Sequence, residues 1–231
     1  MSVDNVVTRA VGDELKVIHV HVETPSPPEL GPLPEELGLH PLLVKRVREL
    51  GIERLYRFQA EAIKYIGKGL STVIVSGTGT GKTEAFMLPI LDRVLREPSR
   101  KVRAIIMYPT KALARDQFAK LRRLTLGVLG VSAMVYDGDT PERERRLIYA
   151  MPPQVLVTNP DMVHVALQEV PAFRKLVSTV EYVVLDELHS YSGVFGAHVA
   201  YIVRRLKRIA GKKLVMIGAS ATIGNPEEHG E

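Results

Sequence analysis

A glycine-rich segment directly after a short apolar run constrains the fold of this 231-residue chain more than any other feature. The apolar run STVIV is followed by SGTGTGKT at 76–83, and a helix-length segment begins at Lys82. Glycines let a backbone wrap closely around phosphate oxygens, and the amides that open a helix add positive potential there. We therefore predict a strand, a phosphate-binding loop and a helix within an α/β sheet.

The residues of this loop have predicted contacts with a nucleotide. Lys82 is expected to reach the β- and γ-phosphates, and the Thr83 hydroxyl is expected to hold Mg²⁺. The other candidate loop contacts are Gly77, Thr78, Gly79, Thr80 and Gly81. An ordinary Gly/Thr-rich turn is the alternative, which the Lys-Thr pair and the preceding strand disfavour. Ser76 stands where the general pattern begins with glycine.

Short apolar runs alternate with helix-length segments from Gly51 onward, which predicts a doubly wound, mainly parallel sheet. The candidate strands are Ser71–Ser76, Val102–Tyr108, Val131–Tyr136, Gln154–Val157, Val180–Leu185 and Lys213–Ile217. The candidate helices are 58–68, 82–96, 111–126, 141–150, 160–168 and 196–210.

The first 50 residues are predicted to form an extension to this sheet. Leu15–Val22 alternates apolar and polar residues like a strand, and the proline-rich Thr24–Pro34 indicates an extended connector. A short helix is predicted at Pro41–Leu50. His19 and His21 share a face of the strand, but without an acidic or cysteine partner a surface strand is favoured over a metal site.

Composition restricts the class of protein and its partners. The net charge of +5 is compatible with a polyanionic partner, although many intracellular proteins are as basic. No apolar run approaches the roughly 20 residues that cross a bilayer, so we expect a soluble, cytoplasmic protein without a membrane partner. The absence of cysteine excludes disulfides and cysteine-ligated zinc in this chain. The high content of charged residues and the low content of Asn and Gln favour a thermophilic organism as the source.

Two carboxylates follow the apolar run YVVL and complete the predicted ATP site. Hydrolysis needs a metal holder and a group that orients water, and both belong at the carboxyl ends of strands. Asp186 is predicted to hold Mg²⁺ with Thr83, and Glu187 to polarise the attacking water. A chance carboxylate pair in a turn is the alternative. We expect Lys82 and Asp186 to meet across adjoining strands.

Further motifs accompany these two in a fixed order along the chain. They are GIERLYRFQAEAI at 51–63, YPTKAL at 108–113, YDGDT at 136–140, TNPD at 158–161 and SAT at 220–222. Together with SGTGTGKT and DELH they resemble the superfamily 2 helicases of the DExH type. That resemblance implies a RecA-like P-loop NTPase domain at 51–231 that binds ATP and Mg²⁺ and acts on nucleic acid.

The resemblance also implies a role for each motif. Gln59 would read adenine, although a lone Gln is otherwise a helix-surface residue. The implied catalytic residues are Lys82, Asp186, Glu187 and His189. The coupling residues, which would link the ATP site to the strand site through His189, are Ser220, Ala221 and Thr222. The implied nucleic-acid contacts are Pro109, Thr110, Lys111, Gly138, Thr158, Pro160 and Asp161.

The segments DELHSYSGVFGAHVA, MYPTKALARDQ and ASATIGNPEEH are similar in sequence to those of the MrfA/YprA group of DExH DNA helicases. This similarity implies 3′-to-5′ translocation on DNA and a link to DNA repair. An RNA helicase and a non-enzymatic RecA-like binding module are the alternatives. Because such helicases close ATP between two RecA-like domains, and no second set of motifs occurs here, we expect one half of a longer protein with little activity alone.

Overall fold

The computed structural model describes residues 29–77, 79–128, 130–211 and 214–221, which contain a six-stranded sheet. Its strands are β1 (Thr72–Ser76), β2 (Ala104–Met107), β3 (Ala133–Val135), β4 (Val155–Thr158), β5 (Tyr182–Leu185) and β6 (Val215–Ala221). All neighbours pair in parallel, in the order β1-β6-β5-β2-β4-β3. Each of the six predicted strands is confirmed. The strand predicted at Leu15–Val22, with His19 and His21, lies outside the described residues.

The described residues form eight α-helices and two short 3-10 turns. The helices are α1 (Pro41–Glu49), α2 (Arg57–Gly67), α3 (Lys82–Arg96), α4 (Lys111–Thr125), α5 (Glu142–Ala150), α6 (Pro160–Glu169), α7 (Pro171–Val177) and α8 (Gly193–Ala210). Only α7 was absent from the predicted set, because it is short, begins at a proline and is separated from α6 by the single residue Val170. Among the described residues, no helix is long and apolar enough to cross a membrane.

Side chains of the inner strands alternate between two hydrophobic cores. In β2, Ile106 points to a core shared with helices α1 to α4, whereas Ile105 points to a core shared with α5 to α8. The same alternation holds in β5, where Val184 and Val183 lie on opposite sides. Helices therefore cover both faces, which confirms the doubly wound α/β class and explains why these strands read as continuous apolar runs.

The described part of the predicted extension packs on the same core. Leu43 and Val47 of α1 are fully buried in the cluster that contains α2 and α3. Leu30 forms an antiparallel bridge with Tyr56, directly before α2. A domain boundary at residue 50 stays a prediction.

Because every strand runs in the same direction, the loops that follow them all open at one edge of the sheet. The phosphate-binding loop follows β1, DELH follows β5, and the described part of the SAT motif forms the end of β6 between them. The predicted nucleic-acid motifs follow β2, β4 and β3. The expectation of adjoining strands for Lys82 and Asp186 was wrong, since β6 lies between β1 and β5. The topology thus separates the two sets of predicted motifs along one edge of the sheet.

Candidate nucleotide-binding site

A cleft of about 940 Å³ lies where the ATP motifs converge at this edge. That volume is at the upper end of the range usual for small-molecule sites. The sequence-predicted residues that line the cleft are Gln59, Gly79, Thr80, Gly81, Lys82, Thr83, Asp186, Glu187, His189 and Ala221. The structure therefore brings the lysine of the loop and the two carboxylates of DELH to one cavity.

The phosphate-binding loop is held by bonds among its own residues. The Ser76 and Thr80 hydroxyls lie 2.6 Å apart, and the Thr80 hydroxyl donates to the Gly77 carbonyl at 2.7 Å. The serine in place of the usual first glycine thus anchors the loop. Gly81 has a φ of +89°, and a Cβ there would stand 2.4 Å from Gln59 Nε2, so only glycine fits. Thr78 lies outside the described residues.

The Lys82 ammonium folds back onto this loop. It donates to the carbonyls of Ser76 and Gly77, each at 2.9 Å. Burial lowers the pKa of Lys82, while the negative charges of Glu187 and Asp186 act in the opposite direction. An anion in the cleft would stabilise this partly desolvated cation.

Asp186 and Glu187 occupy a strained turn at the end of β5. Asp186 is only 5% exposed, and its Oδ1 accepts a 2.9 Å bond from the Glu187 amide. Burial raises the pKa of Asp186 to about 6, assisted by the charge of Glu187 and opposed by that of Lys82. Among the described residues, Glu187 is the one non-glycine with a positive φ, at 54°. Such backbone strain is concentrated at functional sites.

The donor set fits a magnesium ion that arrives with a polyphosphate. Among the described residues, no three His, Cys, Asp or Glu side chains form a cluster that could hold a metal alone. Thr83 and Asp186 nevertheless line the same cleft. Mg²⁺ is usually bound by one or two carboxylates together with water and substrate phosphates, so these two residues suffice for the protein's share.

His189 connects DELH to the end of β6. Its Nδ1 lies 3.2 Å from the Ser220 hydroxyl and 3.5 Å from a carboxylate oxygen of Glu187. Because Glu187 lines the cleft and Ser220 lies in β6, between β1 and β5, this contact links the DELH and SAT segments. Ala221 lines the cleft as well, and Thr222 lies outside the described residues.

Gln59 links α2 to the phosphate-binding loop. Its Nε2 donates to the Gly81 carbonyl at 2.9 Å, and its Oε1 accepts from the Tyr56 amide at 2.8 Å. Both ends of the amide are therefore engaged by the protein. The residue lies in the cleft as predicted, and its reading of adenine stays a prediction that requires at least one of these bonds to be exchanged.

The predicted nucleic-acid contacts lie on the other half of the edge and differ in accessibility. Thr110, Lys111, Gly138 and Asp161 are exposed and Pro109 is half-buried. Lys111 Nζ lies 2.9 Å from a carboxylate oxygen of Asp139. Thr158 and Pro160 are buried, and the Thr158 hydroxyl donates to the Tyr136 carbonyl at 2.6 Å. In this structure the Thr158 side chain therefore supports the loop after β3.

That loop is fixed by residues of the quoted motifs that were not among the predicted contacts. The fully buried Asp137 carboxylate accepts two 2.7 Å bonds from Arg115 of α4. It also accepts from the Thr140 hydroxyl at 3.0 Å. Burial raises the pKa of Asp137, but the bonds from Arg115 and Thr140 outweigh it, so the net shift is downward. Gly138 is thus presented by a rigid turn.

Other contributions to the site also escaped sequence reasoning. Arg54, Lys120 and Arg123 line the cleft and add positive charge to it. The Tyr108 hydroxyl and the Asn159 side-chain oxygen are buried without a hydrogen-bond partner among the described residues. Their positions inside two motifs were the sole signal, and a motif alone does not show which atoms lack partners.

Comparisons with known proteins agree with this geometry. The profile of the DEAD/DEAH box helicase family matches residues 56–229. The uncharacterized ATP-dependent helicase YprA of Bacillus subtilis (strain 168) is 39% identical over 240 residues. That match covers 100% of this chain and 31% of the relative, so the chain spans less than a third of the relative's length.

Solved structures show the same arrangement of elements. The crystal structure of the DUF1998 helicase MrfA bound to DNA and AMPPNP is 35% identical with a TM-score of 0.77. It matches all of this chain, which covers 32% of that structure's chain. The DEAD-box helicase Mss116 bound to ssRNA and UDP-BeF has a TM-score of 0.74 over 89% of this chain and 42% of its own. At 23% identity, Mss116 shows the RecA-like helicase fold alone.

Proposed function

Because this chain belongs to the DEAD/DEAH box helicase family, we propose that it is the first RecA-like ATPase domain of a DNA helicase. The observation that carries the proposal is one cleft lined by Lys82, Asp186 and Glu187. These are the cation, the metal holder and the water-orienting carboxylate that phosphoryl transfer needs. Binding of AMPPNP by MrfA supports the same use of the cleft here.

The protein's own groups divide the work of binding and hydrolysis. Loop amides and the start of α3 bind phosphate oxygens, and the Lys82 ammonium exchanges two carbonyls for a phosphate. Thr83 and Asp186 would hold Mg²⁺, which would offset the negative charge of the phosphate oxygens. Glu187 orients the attacking water and accepts its proton. The strained turn at Glu187 keeps that carboxylate beside the cleft.

The contact between His189 and Ser220 provides a route for coupling. A change in the position of Glu187 during hydrolysis would shift His189 and hence Ser220 in β6, the strand between β1 and β5. We propose that this contact transmits the state of the ATP site toward the second RecA-like domain and the nucleic acid. Thr222 is part of the same proposal.

A second RecA-like domain is proposed to complete the active site. The relatives are more than three times as long as their match with this chain, which leaves room for that domain. An arginine from it would stabilise charge on the γ-phosphate, a contribution that is often worth several powers of ten in rate. The isolated chain should therefore bind ATP, hydrolyse it slowly and fail to unwind duplexes.

DNA is favoured over RNA because the similar structure of MrfA contains DNA at 35% identity. The RNA-bound Mss116 is too distant in sequence to carry an argument about substrate. Translocation from 3′ to 5′ and a role in DNA repair rest on the MrfA/YprA resemblance. An RNA helicase and a non-enzymatic RecA-like module are the competing proposals, and two experiments separate them.

The first experiment measures whether nucleotide stabilises the purified 231-residue chain. We expect AMPPNP with Mg²⁺ to raise its melting temperature, since a ligand bound only by the native state stabilises it. The shift should shrink in EDTA because Asp186 and Thr83 would have no ion to share with the phosphates. An unchanged melting temperature at millimolar nucleotide would favour the non-enzymatic module and contradict the proposal.

The second experiment compares matched single strands of DNA and RNA over a salt series. We expect DNA to bind at least as tightly as RNA, and Lys111→Ala to lower the salt slope by about 0.7, the value for one phosphate contact on a single strand. Lys101→Ala is the matched control, since Lys101 precedes β2 whereas Lys111 follows it. A strong preference for RNA would support the RNA helicase, and equal slopes for both variants would remove Lys111 from the interface.

A further inference from the structure

The side chain of Tyr108 ends in a buried hydroxyl that nothing in the predicted chemistry uses. The residue is 0% exposed, and its hydroxyl has no hydrogen-bond partner of standard geometry among the described residues. Buried polar groups in folded proteins are almost always paired, because an unpaired hydroxyl in an apolar environment is unfavourable. Phenylalanine would fill the same space without that penalty, so the hydroxyl needs an explanation.

The hydroxyl lies beside the metal-holding carboxylate. Met107 pairs with Leu185, and the Asp186 amide donates to the Met107 carbonyl at 3.1 Å, so Tyr108 and Asp186 are neighbours just beyond the paired strands. Burial raises the pKa of Tyr108, and the negative charge of Asp186 and the approach of its carboxylate to the phenolic hydroxyl add to that shift. Burial also raises the pKa of Asp186, whereas the same approach lowers it. The two groups therefore interact electrostatically across a short distance.

The Asp186 carboxylate has the capacity to accept such a bond. Its Oδ1 accepts from the Glu187 amide, and Oδ2 has no hydrogen bond of standard geometry among the described residues. A phenolic hydroxyl is a donor suited to a carboxylate, and charge-assisted bonds of this kind are the stronger ones. A small movement of either side chain would convert the present proximity into a hydrogen bond.

Tyr108 also stands next to the predicted nucleic-acid segment. Pro109 follows it directly, and Thr110 caps α4 by accepting from the Leu113 amide at 3.3 Å. The backbone of Tyr108 is fixed to the neighbouring strand, since its amide donates to the Thr158 carbonyl at 3.1 Å. The residue thus lies between the ATP half and the nucleic-acid half of the edge.

We infer that Tyr108 is a positioning residue whose hydroxyl donates a hydrogen bond to Asp186 when Mg²⁺ and nucleotide occupy the cleft. The bond would hold the carboxylate in the orientation that shares the ion and would join it to the start of segment 109–111. This inference rests on the proposed ATPase function. It assigns the Asp186 carboxylate a hydrogen-bond donor that the motifs alone do not identify.

Tyr191 is a matched control within the same structure. It is also buried, but its hydroxyl donates to the Met107 carbonyl at 3.0 Å and its ring stacks on Phe195. Its hydroxyl, like that of Tyr108, interacts with the charge of Asp186. The two tyrosines therefore share burial and surroundings and differ in whether the hydroxyl is already paired.

The test compares Tyr108→Phe with Tyr191→Phe in the 231-residue chain. For Tyr108→Phe we expect an unchanged or slightly higher melting temperature without nucleotide, and about tenfold weaker binding of AMPPNP with Mg²⁺. In EDTA its affinity for AMPPNP should equal that of the wild type. Tyr191→Phe should show the reverse pattern, with a lower melting temperature and binding within about twofold of wild type.

Several outcomes would overturn the inference. Wild-type affinity of Tyr108→Phe for the magnesium nucleotide would leave the side chain a packing role alone. A loss that persists in EDTA would place its effect outside Asp186. In an Asp186→Asn background, Tyr108→Phe should cause no further loss, and additive losses would show independent action. Failure of the wild type to bind nucleotide would instead refute the proposed function.

Discussion

Lys82→Ala is expected to weaken binding of Mg²⁺–ATP about 100-fold, the largest loss for any single residue of the cleft. A charge-assisted hydrogen bond contributes about 1.5–3 kcal/mol, and removing the Lys82 ammonium removes both the bond and its charge. At a ligand concentration 100 times the wild-type Kd, nucleotide stabilises the wild type by about 2.7 kcal/mol. The variant would be stabilised by about 0.4 kcal/mol under the same conditions.

The measurement is the nucleotide-dependent melting shift, with Lys68→Ala as the control. Lys68 is an exposed cation just beyond α2 and does not line the cleft, so its removal should leave the shift intact. Without nucleotide, Lys82→Ala loses two bonds to loop carbonyls, so its own baseline must be measured. A variant that keeps the full wild-type shift would remove the phosphate-binding loop from the proposed function.

The sheet could be predicted because its strands are buried on both faces. Every residue of AIIM in β2 and of YVVL in β5 is buried. Helices α1 to α4 cover one face of these strands, and helices α5 to α8 cover the other. The loop and the DELH carboxylates could be placed at the same edge for the same reason, since parallel strands end together. Both arguments need only the apolar pattern of each strand and the parallel direction of the strands.

The contacts between segments could not be predicted, because they depend on how the crossovers order the strands. Nothing local to β6 shows that it separates β1 from β5 and brings Ser220 to His189. The bond between Arg115 and the buried Asp137 joins residues 22 positions apart, and either side chain alone is typical of a surface charge. Gln59 was expected in the cleft, but its bond to Gly81 depends on the left-handed turn there.

In the absence of nucleotide, the ionised Asp186 carboxylate should lower the free energy of unfolding. Its pKa of about 6 lies above its ordinary value of 3.8, so between these pH values the folded state binds more protons than the unfolded state. Its contribution to stability is therefore favourable near pH 4 and is lost as the pH rises through about 6. The corresponding penalty at pH 7.5 is at most roughly 3 kcal/mol.

Asp186→Asn is accordingly expected to stabilise the nucleotide-free protein by about 1–3 kcal/mol at pH 7.5 in EDTA, because the neutral amide keeps the shape and removes the buried charge. Its advantage over the wild type should disappear near pH 4. Denaturant unfolding at both pH values measures this, and the exposed Asp139→Asn, which removes a charge beside Lys111, should show no comparable gain. The same Asp186→Asn protein should lose the magnesium-dependent part of nucleotide binding. Lower stability of Asp186→Asn at pH 7.5 would show that the carboxylate is held for structure rather than for an ion, and would oppose its assignment as metal holder.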